Sequence, residues 1–210
     1  PCPCRFTILF HICYTGYIVK KESIITLPNT HLRQKSQRIF VVDSTTRQLV
    51  DDMVSASLDW EQSRPHEISA ALAAVQVDKL ERVVIVRNNF EDKTDNSFTA
   101  LINPEIVKYE GDMIADYEGC LSVSDIYGKV PRHTKIRVKA LDTTGNEVRF
   151  KAEGFLARVI QHEIDHTNGI VFIDHIRDSV NSFYKLDNDG ELQPLDYNEH
   201  IKDNESLWQN

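Results

Sequence analysis

The stretch ARVIQHEIDHTNGIVF, Ala157 to Phe172, constrains this chain more than any other. Phe155, Leu156, Val159 and Ile160 recur on one side of a helical repeat, and Gly169 after Asn168 is a natural stop. Set into that apolar helix are His162, Glu163 and His166. One turn apart, the two imidazoles project from the same face and can share an ion. Glu163 lies about 100° further round, within reach of a water on that ion. Burying such a trio in an apolar helix is costly unless something binds it. Two histidines do not complete a catalytic metal site, so the fold must bring in a further ligand.

Downstream candidates for that ligand are poor. Phe172 stands where a longer zinc-protease pattern carries a third histidine. His175 lies past the helix stop in an apolar segment, which suits a structural role, and Glu191 falls in an acidic, turn-rich stretch. Upstream, Cys120 is the better candidate. It sits in DYEGCLSVSDIYGKV, a segment of extended character, directly after Gly119, which permits close backbone approach. A lone buried cysteine is usually inert filler, but this one is flanked by Glu118, Gly119 and Ser122.

The rest of the chain reads as a frame for this site. SIITLPNTHLRQKSQRIF suits an extended lead-in. After Asp43 and Ser44, either able to cap, Leu49, Val50, Met53 and Leu58 fall at helical spacing through Trp60. RVVIVRN, TALINPEIVKY and KIRVKALDTTGNEVRFKA are rich in β-branched residues, and Thr-Gly-Asn divides the last into a hairpin. Strands in the middle bracketed by two helices predict an α+β fold, with mixed or antiparallel sheets around the metal-binding helix.

Charge and cysteine usage narrow the setting. A net charge of −8 argues against a nucleic-acid partner. Residues 1–38 carry six Lys/Arg against one acid, whereas 178–210 carry eight acids against two Lys. Cys2, Cys4 and Cys13 crowd the N-terminus and Cys120 is alone in the body, which is no disulfide framework and predicts a reducing, cytoplasmic setting. FTILFHICYTGYIV is apolar, but His11 interrupts it, it lacks a small-residue cleavage site, and it is too short to span a bilayer. The expected organisation is a leader or disordered extension over 1–20, one catalytic domain over 21–177, and a peripheral acidic tail over 178–210.

EGCLS (118–122) together with QHEIDH (161–166) resembles the second and third motifs of peptide deformylases. SAALAAVQ (69–76) resembles the first, Gly-x-Gly-x-Ala-Ala-x-Gln, with Ala73, Ala74 and Gln76 retained and Ser69 and Ala71 at the two glycines. LINPEI also reads like the family, and the resemblance runs from Ile24 to Ile176. It implies Cys120, His162 and His166 as ligands of iron(II), with zinc, nickel or cobalt able to substitute. It implies hydrolysis of the N-formyl group of formyl-methionine on nascent polypeptides, Glu163 moving the proton. Gln76 and the Leu121 N–H would donate to the developing oxyanion. Gly119, Ser69, Ala71, Phe155 and Val159 are then candidates for contact with the substrate, and Gln161 and Asp165 for orienting the ligands. No membrane partner is implied. A transient ribosome contact stays open, since the acidic C-terminal segment differs from the basic helix through which some members dock.

Ser69 and Ala71 depart from that pattern. Glycine permits positive φ and close approach of the substrate, and alanine at positive φ costs about 1 kcal/mol or more. The expectation is either an altered peptide preference or a weakened enzyme.

Overall fold

The computed structural model describes residues 19–64 and 66–208. The leader expected over 1–20 lies almost wholly outside the described residues. Helix α1 spans Ser44–Gln62, beginning where Asp43 accepts hydrogen bonds from the Thr45 and Thr46 N–H groups at 2.9 and 3.0 Å. Strands β1 (Ala71–Ala73), β2 (Val83–Arg87), β3 (Phe98–Cys120), β4 (Val123–Leu141) and β5 (Glu147–Glu153) follow. Helix α2 spans Gly154–Thr167, and beyond it come β6 (Phe183–Leu186), β7 (Leu192–Pro194) and two single-turn helices, α3 (Tyr197–His200) and α4 (Glu205–Trp208). All seven strands form one antiparallel sheet in the order β1-β2-β3-β4-β6-β7, with β5 also paired to β4.

Strand β2 is buried at every position because it has a helix on each face. Val84 and Val86 pack with Val159, Ile160 and Ile164 of α2, while Val83 and Ile85 pack with Met53 and Ala56 of α1. The period-two alternation of a strand thus sends successive valines to different helices, which is why the sequence there shows no polar face.

The hairpin β3–β4 is the longest feature and was legible only in pieces. Pairing runs from Ile102–Leu141 to Cys120–Val123, with register shifts along the way, so that Cys120 sits at the hairpin's tight end. Helix α2 ends against the lead-in: at Gly169, φ is +76° and a Cβ would come within 2.4 Å of the Arg33 carbonyl oxygen. Glycine is therefore required there by both backbone and space.

The segment beyond Arg177, expected as a peripheral tail, is part of the core. Phe183, Ile201 and Leu207 pack with Val123, Val130, Phe172, Ile173 and Ile176 in a third cluster. The charge of this stretch concealed its spaced apolar residues, which cover the underside of the hairpin's tight end. Phe183→Ala should therefore destabilise the protein by about 3–5 kcal/mol in urea unfolding, the cost of emptying a buried aromatic site. A loss below about 1 kcal/mol would restore the peripheral reading.

Candidate metal centre

Helix α2 brings His162 and His166 onto one face with ring centroids 4.9 Å apart. The end of β3 lays Cys120 against them, its Sγ 3.2 Å from His166 Nε2. Ligand atoms of Cys120, His162 and His166 all lie within 4.8 Å of one another, the only such group of three among the described residues. One sulfur and two imidazole nitrogens form a donor set that suits iron, zinc and related ions. Both histidines are buried, and Glu163 beside them has a buried Oε2 with no hydrogen-bond partner. Burial pushes the Glu163 carboxyl up to about 7. Burial holds His166 well below the usual histidine range and so keeps it neutral. The donors present therefore fit a divalent cation, and its positive charge would draw Glu163 back toward ionisation.

Glu118 orients this cluster. Its carboxylate accepts from His162 Nδ1 at 3.0 Å, from Arg132 at 2.9 and 3.0 Å, and from Arg158 Nη1 at 2.7 Å. Burial alone would raise its pKa, but the His162 and Arg132 hydrogen bonds outweigh burial and hold it well below the usual carboxylate range. With His162 Nδ1 occupied in this way, Nε2 is the nitrogen left to face the cysteine. Arg132 continues to Asp165, which also bonds His175 at 2.7 Å.

Gln76 is set by backbone. A single 3-10 turn over Ala74–Val77 follows β1, and Gln76 Oε1 accepts the Ala73 N–H at 2.9 Å. That contact turns Nε2 toward Ser122 Oγ at 3.1 Å and Cys120 Sγ at 3.5 Å. Leu121 occupies the turn directly after Cys120. Above the cluster opens a cavity of about 350 Å³, lined at this end by Gln76, Leu121, Gly119, Val159, Phe155 and Glu163. Phe155 is 52% exposed and stands edge-on to Phe90 at 4.9 Å.

Several expected positions fall elsewhere. Ser69 does not line the cavity: it is fully buried, its hydroxyl 2.5 Å from Ser57 Oγ and its N–H on Glu61 at 2.9 Å. Ala71 does line it, but neither residue has positive φ, so the strain expected from replacing glycine is absent. Strand β1 runs extended through this stretch, and an alanine fits an extended backbone. Gln161 bonds the His133 backbone and Asp165 bonds Arg132 and His175, so neither touches a ligand. His175 and Glu191 stand outside the cluster. What the sequence reading missed is the Glu118–Arg132–Arg158 set; its one visible sign was an acid two residues before the cysteine.

The sequence model described as polypeptide deformylase matches residues 21–182. A peptide deformylase from Thermomicrobium roseum is 43% identical over 173 residues, covering 81% of this chain and 94% of its own length. One from Chromohalobacter salexigens is 38% identical, over 74% and 86% respectively. Among solved structures, the Met-Ala-Ser-bound peptide deformylase of Acinetobacter baumannii superposes with a TM-score of 0.64 at 32% identity, covering 73% of this chain and 96% of that one.

Glu118→Gln should lower metal affinity about 10–100-fold in a chelator competition, because the His162 ring loses its charged partner. Glu118→Ala leaves Arg158 without its carboxylate and Arg132 with Asp165 alone, and should cost about 3–5 kcal/mol in urea unfolding. An unchanged metal affinity in the glutamine variant would remove Glu118 from this role.

Proposed function

Because this chain belongs to the polypeptide deformylase family, whose members are metal-dependent hydrolases removing the N-formyl group from the N-terminal methionine of nascent polypeptides, we propose that its Cys120, His162 and His166 hold the metal and Glu163 is the proton-transfer group. The observation that carries this assignment is the convergence of the three ligand atoms beside a buried, unpartnered carboxylate at the floor of one cavity. When bound there, the cation supplies a Lewis acid that polarises the formyl carbonyl and acidifies a water.

The side chains divide the remaining work. Glu163 takes a proton from the attacking water at its free carboxylate oxygen and returns it to the amine nitrogen as the C–N bond breaks, leaving formate and a free methionyl terminus. Buried beside the cluster with Oε2 unpartnered, this carboxyl is placed for both halves of that transfer. Gln76 donates from Nε2 to the formyl oxygen as charge develops there, and the Leu121 N–H is the second donor. A neutral donor pre-set by the Ala73 hydrogen bond stabilises that charge without reorganising. Val159 and Phe155 wall the methionine side chain, and Gly119 lets the substrate backbone approach the strand. A Cβ on Gly119 would come within 2.6 Å of the Tyr127 ring, which lines the same cavity, so glycine is also required by space. Ala71, unstrained, adds a methyl to the same cleft.

One thiolate and two neutral imidazoles leave a divalent ion with a net charge of +1 and accommodate iron(II), zinc, nickel or cobalt. We assign iron(II) as the native metal. The reaction takes place on nascent chains, and no helix among the described residues is long and apolar enough to cross a membrane.

Iron(II)-loaded protein, kept anaerobic, should release formate from formyl-Met-Ala-Ser. Glu163→Gln should lower kcat about 10²–10⁴-fold while retaining one metal per chain. Cys120→Ala should lose the metal and the activity together. Full activity in Glu163→Gln would reject the assigned proton carrier, and a Cys120→Ala variant that keeps its metal would reject the ligand set.

A further inference from the structure

The outer half of the cavity plays no part in the chemistry above. One of its walls is built by Tyr117 and Tyr127 of the long hairpin together with Leu186 of β6 and Leu192 of β7. The two leucines are cross-strand partners, so their side chains share a face of the β6–β7 ribbon. Both are only half-buried, leaving apolar surface open to the cleft.

The ribbon is held firmly in place. Strand β6 pairs with β4 at Tyr127 and Gly128, Phe183 anchors it in the core, and Tyr184 meets Tyr117 edge-on at 4.9 Å. Its turn is closed by Asp187, which accepts from the N–H groups of Asp189 and Glu191 at 3.0 and 2.9 Å. At the tip, a Cβ on Gly190 would come within 3.1 Å of the His66 ring, next to Glu67, which accepts a hydrogen bond from the Tyr127 hydroxyl. Hairpin, ribbon tip and the loop at His66 thus form one continuous side of the cleft. The ribbon lies beyond residues 21–182, the stretch that matches the family, whereas Tyr117 and Tyr127 lie within it.

We infer that Leu186 and Leu192 form a specificity surface for the residues that follow formyl-methionine, favouring apolar side chains there. The inference rests on the formyl group being bound at the Cys120–His162–His166 end. A peptide is continuous, so with its first residue at that end its next residues run along the rest of the same cavity, which Leu186 and Leu192 line. An apolar side chain covers the two leucines and releases their water, whereas glycine leaves them wet and a polar side chain must shed its own hydration.

The test compares kcat/KM, from formate release, of the full iron(II)-loaded chain on formyl-Met-Leu-Leu and formyl-Met-Gly-Gly, the second serving as reference within each variant. The wild type should favour the leucine peptide about tenfold or more, and Leu186→Ser with Leu192→Ser should bring that ratio to within about twofold. Leu192→Lys, a single change at a half-exposed position, should instead create a preference for formyl-Met-Asp-Asp over the glycine peptide. Formate release with the same ratios in wild type and both variants would overturn the inference and leave the deformylase reading standing. No formate from either peptide with any form would overturn that reading, and this one with it.

Discussion

The Glu118 carboxylate is the joint on which the site depends. It lies two residues before Cys120 on β3, it receives Arg132 from β4, and it receives Arg158 and His162 from α2. Both strands of the hairpin and helix α2 are thereby locked at one point, with the Glu118 side chain only 5% exposed. Together with Asp165, the group has two acids and two arginines, so the buried charges balance and each carries hydrogen bonds in good geometry. A balanced, fully bonded set is the condition under which buried ions cost little. It specifies one arrangement, because removing any member strands another. The same carboxylate that orients His162 also fixes where the hairpin's tight end, and so the cysteine, comes to rest.

Around that joint the apolar layers set the positions of everything else. Strand β2 serves two helices at once, so α1 and α2 are held on opposite faces of the sheet. This leaves α2 free to present its histidines on the side away from the valines of β2. The third cluster, to which the C-terminal segment adds Phe183, Ile201 and Leu207, braces the hairpin from below. At Gly128 a Cβ would lie 2.5 Å from the Ile176 Cδ1, which shows how closely that brace approaches the strand. These layers hold β3 against α2, so that Cys120 lies with two histidines more than 40 residues on, their ligand atoms within 4.8 Å of one another.

Much of this was legible in the sequence where the cause is local. The α1 expectation of Thr45 to Trp60 became Ser44–Gln62: Asp43 caps in the ordinary way, and the helix runs on through Glu61 and Gln62. The α2 expectation ended at Asn168 and the helix ends at Thr167, with Gly169 doing what its backbone requires. The β4–β5 hairpin formed at Thr-Gly-Asn as its turn chemistry predicts. Readings that needed a partner fared worse. Ser69 was assigned to the cleft by its place in a motif, but its hydroxyl found Ser57 on α1, a contact no local pattern encodes. Acidic residues after Arg177 outweighed the few apolar ones in any local reading, although those few are what the core uses.

The sequence by itself determined that two imidazoles would share one face of an apolar helix with a carboxylate about 100° further round, because helical periodicity alone places them there. With the EGCLS and SAALAAVQ motifs, it also named the cysteine and the glutamine to be brought to them. Only the tertiary structure decided how they meet. It showed that Glu118, held by two arginines, sets the histidine, and that no backbone strain attends Ser69 or Ala71. It also turned a segment read as peripheral into the far wall of the cleft. The physical reason is the same throughout: periodicity, caps and turns are short-range properties, whereas a buried ion set, a shared wall and a cavity exist only between residues that the chain brings together from afar.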